Sequence, residues 1–277
     1  MTQKNEDRLV EAGRDRYGKI ATGEISGCAG AAAVTGCCGS AEGVVSMAVG
    51  YGAEDLAVIP EGSNLGLGCG APIPVLDLQP GETVLDLGSG AGIDAFLAAR
   101  RVGPTGHVIG VDMTPEMIAK ARHNAVEVGL PNVEFREGRL ERLPVDDASV
   151  DAVTSNCVIN LVPDKAAVFG EIARVLRPGG RVVVSDIVLD GPLPVAIAND
   201  VFAYVGCVSG ALPRAEYFAL LDAAGLADVT VHKDLDYLNS AGYAMPPEIR
   251  DAMAAAGIRD EDLAGVIRSV TYRAVRR

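Results

Sequence analysis

Residues 84–92 read VLDLGSGAG, and this stretch decides the fold of the chain. An apolar strand pattern over residues 84–87 runs directly into glycines at positions 88, 90 and 92. Glycine lets the backbone turn sharply and approach a ligand closely, and open α/β sheets bind ligands at the carboxyl ends of their strands. We therefore expect a strand here that is followed by a ligand-binding loop.

The sequence around this loop alternates short apolar strands with segments of helix length. In chain order these segments are TVLDLGS, IDAFLAARRV, HVIGVDM, PEMIAKARHNAVEVG, VEFREG, VDAVTSN, KAAVFGEIARVL and RVVVSDIVL. Nearly continuous β-branched strands that are separated by amphipathic helices indicate a parallel sheet covered on both faces. The predicted fold class is therefore α/β, with a doubly wound, mostly parallel Rossmann-like sheet.

Composition changes along the chain predict three parts. Residues 1–75 open with a helix and continue into a glycine-rich and alanine-rich segment with cysteines, which we expect to act as a lid that is mobile over residues 25–50. Residues 76–190 carry the alternating pattern and form the ligand-binding domain. Residues 191–277 form a smaller C-terminal portion, which we expect to bind substrate and to complete the sheet.

Charge and hydropathy narrow the classes of partner. The formal net charge of −13 opposes binding to a phosphate backbone, so we expect no nucleic-acid partner. The first twenty residues lack the apolar core of a secretory signal, and no apolar run is long enough to cross a membrane. These features predict a cytoplasmic protein without a membrane partner.

The spacing of the glycines distinguishes between two kinds of adenosyl cofactor. A dinucleotide fingerprint reads G-x-G-x-x-G, whereas here the third glycine comes one residue early and the acidic Asp86 precedes the first. The loop resembles the one that binds S-adenosylmethionine. Asp112 ends the second strand, where a carboxylate can accept hydrogen bonds from both ribose hydroxyls of an adenosine.

Three of the six cysteines fall where the predicted site lies. Cys157, in SNCVINL, follows the fourth strand, whose carboxyl end flanks the switch point beside the first. Cys69 lies in NLGLGCGAP and Cys207 in GCVSGAL, and thiols that converge there suit a thiophilic centre. Two alternatives stay open: each cysteine is a small buried hydrophobe, or the thiols bind zinc without the paired C-x2-4-C spacing usual for that metal.

Over roughly residues 50–225 the chain resembles the arsenite methyltransferases. The segments that carry the resemblance are GSNLGLGCGAP, GETVLDLGSGAGIDAFLAARRVGPTGHVIGVDMTPEMI, NVEFREG, LPVDDASVDAVTSNCVINLVPDK, VLRPGGRVVVSDIV and GCVSGAL. This resemblance implies transfer of methyl groups from S-adenosylmethionine to trivalent arsenic on cysteine thiolates. The products are then methylated arsenicals and S-adenosylhomocysteine.

The resemblance also implies roles for individual residues. Cys69, Cys157 and Cys207 are then the arsenic ligands, and the stretch TGCCGS supplies a fourth catalytic thiol that pairs with Cys69 during turnover. We prefer Cys38 to Cys37 for that fourth thiol. Together with Asp86, the implied cofactor neighbours are Gly88, Gly90, Asp112, Met113, Leu140, Glu141 and Asn156. A thiol such as thioredoxin or glutathione is the implied reductant.

Two features of the sequence fall outside the resemblance. Arg139 stands where the family often has an acidic residue, and the resemblance gives Cys28 no role.

Two other functions compete with the one that the resemblance implies. A methyltransferase of a small organic acceptor would share the glycine loop but would not need three convergent thiols. A thiol-based arsenic or metal sensor would use the thiols, but it would not need the glycine loop and should bind DNA.

Overall fold

The computed structural model describes residues 3–27, 41–238 and 247–277. The described helices are α1 (Gln3–Thr22), α2 (Ala41–Val49), α3 (Ala53–Leu56), α4 (Ile73–Leu76), α5 (Ile93–Val102), α6 (Pro115–Val128), α7 (Lys165–Val175), α8 (Val195–Ala198), α9 (Val201–Val205), α10 (Arg214–Ala223), α11 (Pro247–Ala255) and α12 (Asp260–Leu263), with short 3-10 turns at Glu61–Ser63 and Ile159–Leu161. The strands are β1 (Thr83–Leu87), β2 (His107–Asp112), β3 (Val133–Glu137), β4 (Val150–Asn156), β5 (Leu176–Leu189), β6 (Leu226–Asp236) and β7 (Ile267–Arg276).

The strands form one seven-stranded sheet in the order β3-β2-β1-β4-β5-β7-β6. Strands β1 to β5 pair in parallel, and β7 is antiparallel to both of its neighbours. The predicted mostly parallel sheet is therefore confirmed. The strand order reverses between β1 and β4, which leaves a crevice at their carboxyl ends.

Alternate residues of the central strands pack into two separate cores. Leu85, Leu87 and Val153 lie in one core with residues of α7 and α10, whereas Val84 and Ala152 lie in the other with residues of α4 and α5. Successive side chains of a strand point to opposite faces, so both faces of the sheet are covered by helices. The continuous apolar runs of the sequence have this double burial as their physical cause.

The C-terminal strands extend the sheet beyond β5. Strand β7 pairs with β5 from Ile267 to Val275, and β6 pairs only with β7 in the described sheet, so β6 is an edge strand with mostly exposed side chains. Strand β5 begins at Leu176, earlier than the apolar run that starts at Arg181. The early start comes from a pairing of Leu176 with Val150 that is separated from the main register by an irregularity.

The N-terminal helix α1 packs against α6 and α9. The hydroxyl of Tyr17 on this helix donates a hydrogen bond of 3.0 Å to the carbonyl of Val205, which ties α1 to the segment before Cys207. Cys28, Cys37 and Cys38, and half of the segment 25–50 that was expected to be mobile, lie outside the described residues. No described helix is both long and apolar enough to cross a membrane.

A single carboxylate is buried near the end of β5. Asp186 is fully buried, and its Oδ1 accepts hydrogen bonds from the side-chain amide of Asn160 and from the backbone N–H of Ile187, both at 2.9 Å. Its Oδ2 accepts a bond of 3.0 Å from the hydroxyl of Tyr217. Burial nevertheless dominates and raises the pKa of Asp186 to about 7, with hydrogen bonds and the charge of Lys165 acting in the opposite direction.

The close approach of Gly88 to Val158 predicts a difference between two glycine substitutions. Gly88 and Gly129 both have a φ of +63°, but a Cβ at Gly88 would lie 2.5 Å from a methyl of Val158, whereas nothing lies within 4 Å at Gly129. Gly129→Ala should therefore lower the free energy of unfolding by about 1 kcal/mol through backbone strain alone. Gly88→Ala should cost a further 1–3 kcal/mol or so from the overlap.

Urea denaturation of the two variants measures this difference, and Val158→Ala in the Gly88→Ala background should recover part of the loss. Equal losses at the two positions would show that the loop relaxes around the added methyl group.

The raised pKa of Asp186 predicts a pH-dependent stability. The folded state holds this proton up to about pH 7, whereas an unfolded aspartate releases it near pH 4 or so. Below the unfolded pKa the carboxyl is protonated in both states, and its contribution to stability is fully present. Between the two pKa values only the folded state holds the proton, so stability falls as the pH rises, and the contribution is lost once the pH has passed the folded pKa. Within that window Asp186 should reduce the free energy of unfolding by up to about 1.4 kcal/mol per pH unit.

Asp186→Asn should abolish this contribution, since an amide can still accept from Asn160 and can donate to the hydroxyl oxygen of Tyr217. The measurement is the difference between the unfolding free energies of wild type and Asp186→Asn from pH 4 to pH 8. A difference that does not change with pH would show that Asp186 keeps an ordinary pKa.

Candidate active site

The loop after β1 and the carboxylate after β2 meet at the crevice. Gly88, Gly90 and Gly92 all have positive φ, and the N–H of Gly90 donates a bond of 3.0 Å to Oδ2 of Asp112. Oδ1 of Asp112 accepts from the backbone N–H of Thr114 at 2.8 Å. Burial raises the pKa of Asp112, while these backbone hydrogen bonds favour its charged form and oppose the shift. The structure therefore brings the predicted loop and carboxylate together.

Two further carboxylates, Asp86 and Asp94, flank the glycine loop in the sequence. Asp86 and Asp94 are both buried, and Asp94 accepts hydrogen bonds from the hydroxyl of Tyr51 at 2.9 and 3.0 Å. Burial, followed by the charge of Asp94, raises the pKa of Asp86 well above its usual value, and burial raises the pKa of Asp94 to about 6. Two carboxylates this close resist ionising together unless a cationic group lies beside them.

Some polar atoms at the loop have no protein partner. Oδ2 of Asp86 and Oγ of Ser89 are buried without a hydrogen bond among the described residues, and both side chains line the crevice. Buried polar groups are normally hydrogen-bonded, so an orphaned carboxylate oxygen and hydroxyl indicate a place where a ligand supplies the missing partners.

A single cavity of about 250 Å³ links the loop to the cysteines. At one end it is lined by the residues predicted as cofactor neighbours: Asp86, Gly88, Gly90, Asp112, Met113, Leu140, Glu141 and Asn156. Arg139 also lines this end and pairs with Glu141 at 3.0 Å, so the residue that departs from the family pattern contacts a predicted cofactor neighbour.

Three thiols line the other end of the cavity. Cys69, Cys157 and Cys207 are all free, the first and third are buried, and they pack in one apolar cluster. The sulfurs of Cys69 and Cys157 and a carboxylate oxygen of Asp186 lie within 4.8 Å of one another. The thiol of Cys207 donates to the carbonyl of Cys157 at 2.8 Å. Cys157 therefore lies between the other two thiols: its sulfur is within 4.8 Å of that of Cys69, and its carbonyl contacts the thiol of Cys207.

Two of these cysteines have unusual backbone conformations. Cys157 has a φ of 59° and Cys207 a φ of 65°, a region that residues other than glycine rarely occupy. Such conformations cost free energy and persist only where the surrounding structure imposes them, and they are concentrated at functional sites. At Cys157 the constraint includes the hydrogen bond of 2.8 Å from its N–H to the carbonyl of Ser185.

The electrostatics of the cluster favour protonated thiols in the free protein. Burial raises the pKa of Cys69. The hydrogen bond with Cys207 lowers the pKa of Cys157, but its bond with Cys69, burial and neighbouring negative charge raise it well above the usual range overall. For Cys207, the bond with Cys157, then burial and negative charge, raise the pKa well above the usual range. The free site therefore stores three protons close together.

The structure adds residues that sequence reasoning missed. Asp186 lies against the thiols of Cys69 and Cys157. Tyr17 on α1 and Asp94 line the cavity, and the hydroxyl of Tyr51 donates a hydrogen bond to Asp94. The segment SDIV gave one usable signal, since an aspartate within an apolar strand is unusual, whereas nothing in the sequence indicated the two tyrosines. Cys38, the predicted fourth thiol, lies outside the described residues.

Comparison with known proteins agrees with this geometry. Residues 78–242, more than half of the chain, match the family described as "Methyltransferase domain". An arsenite methyltransferase of Halobacterium salinarum is 48% identical over 83% of this chain and 60% of its own length. The chain thus spans about three fifths of that curated relative.

Solved structures give the same result. The crystal structure of an arsenic(III) S-adenosylmethionine methyltransferase from Chlamydomonas reinhardtii matches 83% of this chain and 72% of its own, with 33% identity and a TM-score of 0.60. The YcgJ protein of a Bacillus species, with 23% identity over 74% of this chain and 96% of its own and a TM-score of 0.60, shares the fold alone. The chain has the class I methyltransferase fold and belongs to the arsenite methyltransferase family.

Proposed function

We propose that this protein transfers methyl groups from S-adenosylmethionine to trivalent arsenic bound by cysteine thiolates. The observation that carries the proposal is the single cavity, which has the glycine loop and Asp112 at one end and three thiols at the other. A methyl acceptor held by the thiols would lie beside a cofactor held by the loop. Substrates of this reaction are arsenite and methylated trivalent arsenicals.

The residues at the loop fit the proposed cofactor. The orphaned oxygen of Asp86, next to Asp94, suits the ammonium group of an amino acid, and Oδ1 and Oδ2 of Asp112 each accept one backbone bond and retain capacity for a ribose hydroxyl. Met113 and Leu140 offer apolar surface to an adenine ring, and Glu141 offers it an acceptor. When bound, a sulfonium cofactor supplies an electrophilic methyl group.

The thiol end fits arsenic rather than a hard cation. Sulfur ligands select soft, thiophilic centres, and trivalent arsenic keeps a lone pair when three thiolates hold it. The raised pKa values do not prevent binding, because each thiol proton leaves with an arsenic-bound hydroxyl as water. Binding of arsenite thus releases three waters and needs no separate base.

Placement is the main contribution of the protein to the proposed reaction. Cys157 and Cys207 hold the acceptor on the β4 side of the crevice, the glycine loop after β1 holds the donor, and burial of Cys69 and Cys207 excludes water from the acceptor. Correct orientation of two reactants can remove on the order of 7–11 kcal/mol from a barrier. The transfer requires no general base.

Transfer to trivalent arsenic oxidises that centre formally, so a reductant is required. We infer that Cys38 pairs with Cys69 during turnover and that an external thiol, such as thioredoxin or glutathione, restores both. A cytoplasmic location would suit this chemistry, since glutathione and thioredoxin keep thiols reduced there. In the same scheme residues 1–75 act as a lid, residues 76–190 bind the cofactor and residues 191–277 complete the substrate site.

The first prediction from this function concerns Asp112. Asp112→Ala should weaken binding of S-adenosylmethionine by about tenfold to a hundredfold, since it removes charge-assisted hydrogen bonds worth roughly 1.5–3 kcal/mol. Isothermal calorimetry measures the affinity. Arsenite binding by the same variant is the control and should not change, because Asp112 lies at the other end of the cavity. Unchanged cofactor affinity would remove Asp112 from the site.

The second prediction tests the function itself through the number of thiols each substrate needs. Inorganic arsenite can accept three thiolates, but monomethylarsenite has one valence on carbon and accepts two. Cys69→Ser should therefore lose most activity on arsenite but still methylate monomethylarsenite, because a hydroxyl is a poor ligand for this soft centre. Cys38→Ser should show the same pattern, because Cys38 is proposed to act through its pairing with Cys69. Cys157→Ser and Cys207→Ser should lose both activities.

The assay uses purified protein, methyl-labelled cofactor and excess glutathione, with chromatographic separation of the arsenic species. Cys28→Ser serves as the cysteine control, and circular dichroism checks folding. Absence of labelled arsenicals with the wild type would reject the proposed function, and equal failure of Cys69→Ser on both substrates would reject the division of the thiols.

A further inference from the structure

The side chain of Asn156 holds the loop that carries Cys69. Its Oδ1 accepts a hydrogen bond of 3.2 Å from the backbone N–H of Cys69, and its Nδ2 donates a bond of 2.8 Å to the carbonyl of Gly70. One amide thus binds a donor and an acceptor of adjacent residues, as a neighbouring strand would. Because Asn156 ends β4, this contact fixes the loop against the sheet.

The same amide reaches the wall of the cofactor end. Nδ2 of Asn156 lies 2.8 Å from the hydroxyl of Tyr51 and 3.2 Å from Oδ2 of Asp94. Asp94 belongs to α5, directly after the glycine loop. Asn156 therefore bridges the helix that borders the cofactor end and the loop that carries a thiol.

The loop approaches Asn156 closely because glycines flank Cys69. Gly68 has a φ of +104°, and a Cβ there would lie 2.9 Å from Oδ1 of Asn156. A Cβ at Gly70 would lie 2.5 Å from Oγ of Ser185 on β5. In this close packing the sulfur of Cys69 lies within 4.8 Å of that of Cys157.

The other two thiols do not depend on this amide. The N–H of Cys157 donates to the carbonyl of Ser185, and the thiol of Cys207 donates to the carbonyl of Cys157. The thiol of Cys69 has side-chain hydrogen bonds with Cys157 and Ser269, and its backbone has a further bond of 2.6 Å, from the hydroxyl of Ser269 to its carbonyl. That bond fixes the residue at a single atom, whereas Asn156 fixes the backbone on both sides of that carbonyl.

We propose that Asn156 is a positioning residue which holds Cys69 in the arsenic site and thereby determines that inorganic arsenite is a substrate. This inference rests on the proposed function and goes beyond the cofactor contact that the resemblance implies for Asn156. Loss of the amide should release the third thiol and leave the other two in place. The protein would then accept monomethylarsenite, which needs two thiolates, better than arsenite, which needs three.

The first test counts protected thiols and needs no cofactor. The full chain is incubated with arsenite, alkylated with iodoacetamide and analysed by peptide mass spectrometry. In the wild type arsenite should protect Cys69, Cys157 and Cys207. In Asn156→Ala it should protect Cys157 and Cys207, while Cys69 should be alkylated at least about tenfold faster than in the wild type, which corresponds to 1.4 kcal/mol.

Ser155→Ala is the matched control. Ser155 precedes Asn156 on the same strand and is fully buried, whereas Asn156 is half-buried, and the hydroxyl of Ser155 has no hydrogen-bond partner among the described residues. This variant should protect all three thiols as the wild type does. If Asn156→Ala does not fold by circular dichroism, Asn156→Ser replaces it, because its shorter side chain cannot reach both Cys69 and Gly70.

The second test separates positioning of Cys69 from an effect on the cofactor. A weaker cofactor site would slow methylation of arsenite and of monomethylarsenite by the same factor. Displacement of Cys69 should instead lower the ratio of the two kcat/KM values, arsenite over monomethylarsenite, by about tenfold or more. Asn156→Ala with Cys69 still protected and the ratio unchanged would overturn the inference. Failure of arsenite to protect any thiol of the wild type would overturn the proposed function, and the inference with it.

Discussion

The reversal of strand order between β1 and β4 is the constraint on which the rest of the molecule depends. These strands are distant in the chain but adjacent in the sheet, and both present their carboxyl ends to the same crevice. Helices that follow them must turn away in opposite directions, which keeps the crevice open. The loop after β1 can therefore hold one ligand while the residue after β4 holds another. The sheet therefore fixes the separation of the two ligand sites before either ligand binds. A reaction between the two bound ligands needs little more than this placement.

Within this frame the site combines two environments of opposite character. The loop end carries several carboxylates and suits a cationic, hydroxyl-bearing ligand, whereas the thiol end is apolar and holds protonated sulfurs. Asp186 belongs to the thiol end, where its charge adds to burial in raising the pKa of all three described thiols. Hydrogen bonds from Asn160 and Tyr217 fix the position of its carboxyl group, which is fully buried. The arrangement protects the thiols from ionisation until a ligand removes their protons.

The sequence predicts the parallel sheet, the glycine loop and the positions of Asp112 and the three thiols, because each depends on a local pattern or on the strand topology. Apolar runs locate β1 to β4 well. The start of β5 is missed, since the pairing of Leu176 with Val150 arises from a register irregularity that no local pattern encodes.

The contacts of Tyr17, Tyr51 and Asn156 are missed for a related reason. Each joins residues far apart in the chain, and the residue types involved are common elsewhere. Tyr51 illustrates the difficulty, since it reaches Asp94 from a segment with no strand or helix pattern that indicates the direction of its side chain. Sequence patterns locate the ends of elements, but the hydrogen bonds that fix loops upon them depend on the packed structure.

The left-handed backbone at Cys157 and Cys207 has a consequence for how such a protein evolves. A glycine at either position would relieve strain on the order of 1 kcal/mol, so selection for thermal resistance alone would favour glycine there. This chain carries cysteine at both positions. In a lineage without the proposed thiophilic ligand, these two positions are where drift toward a more stable protein that lacks the thiol site should begin.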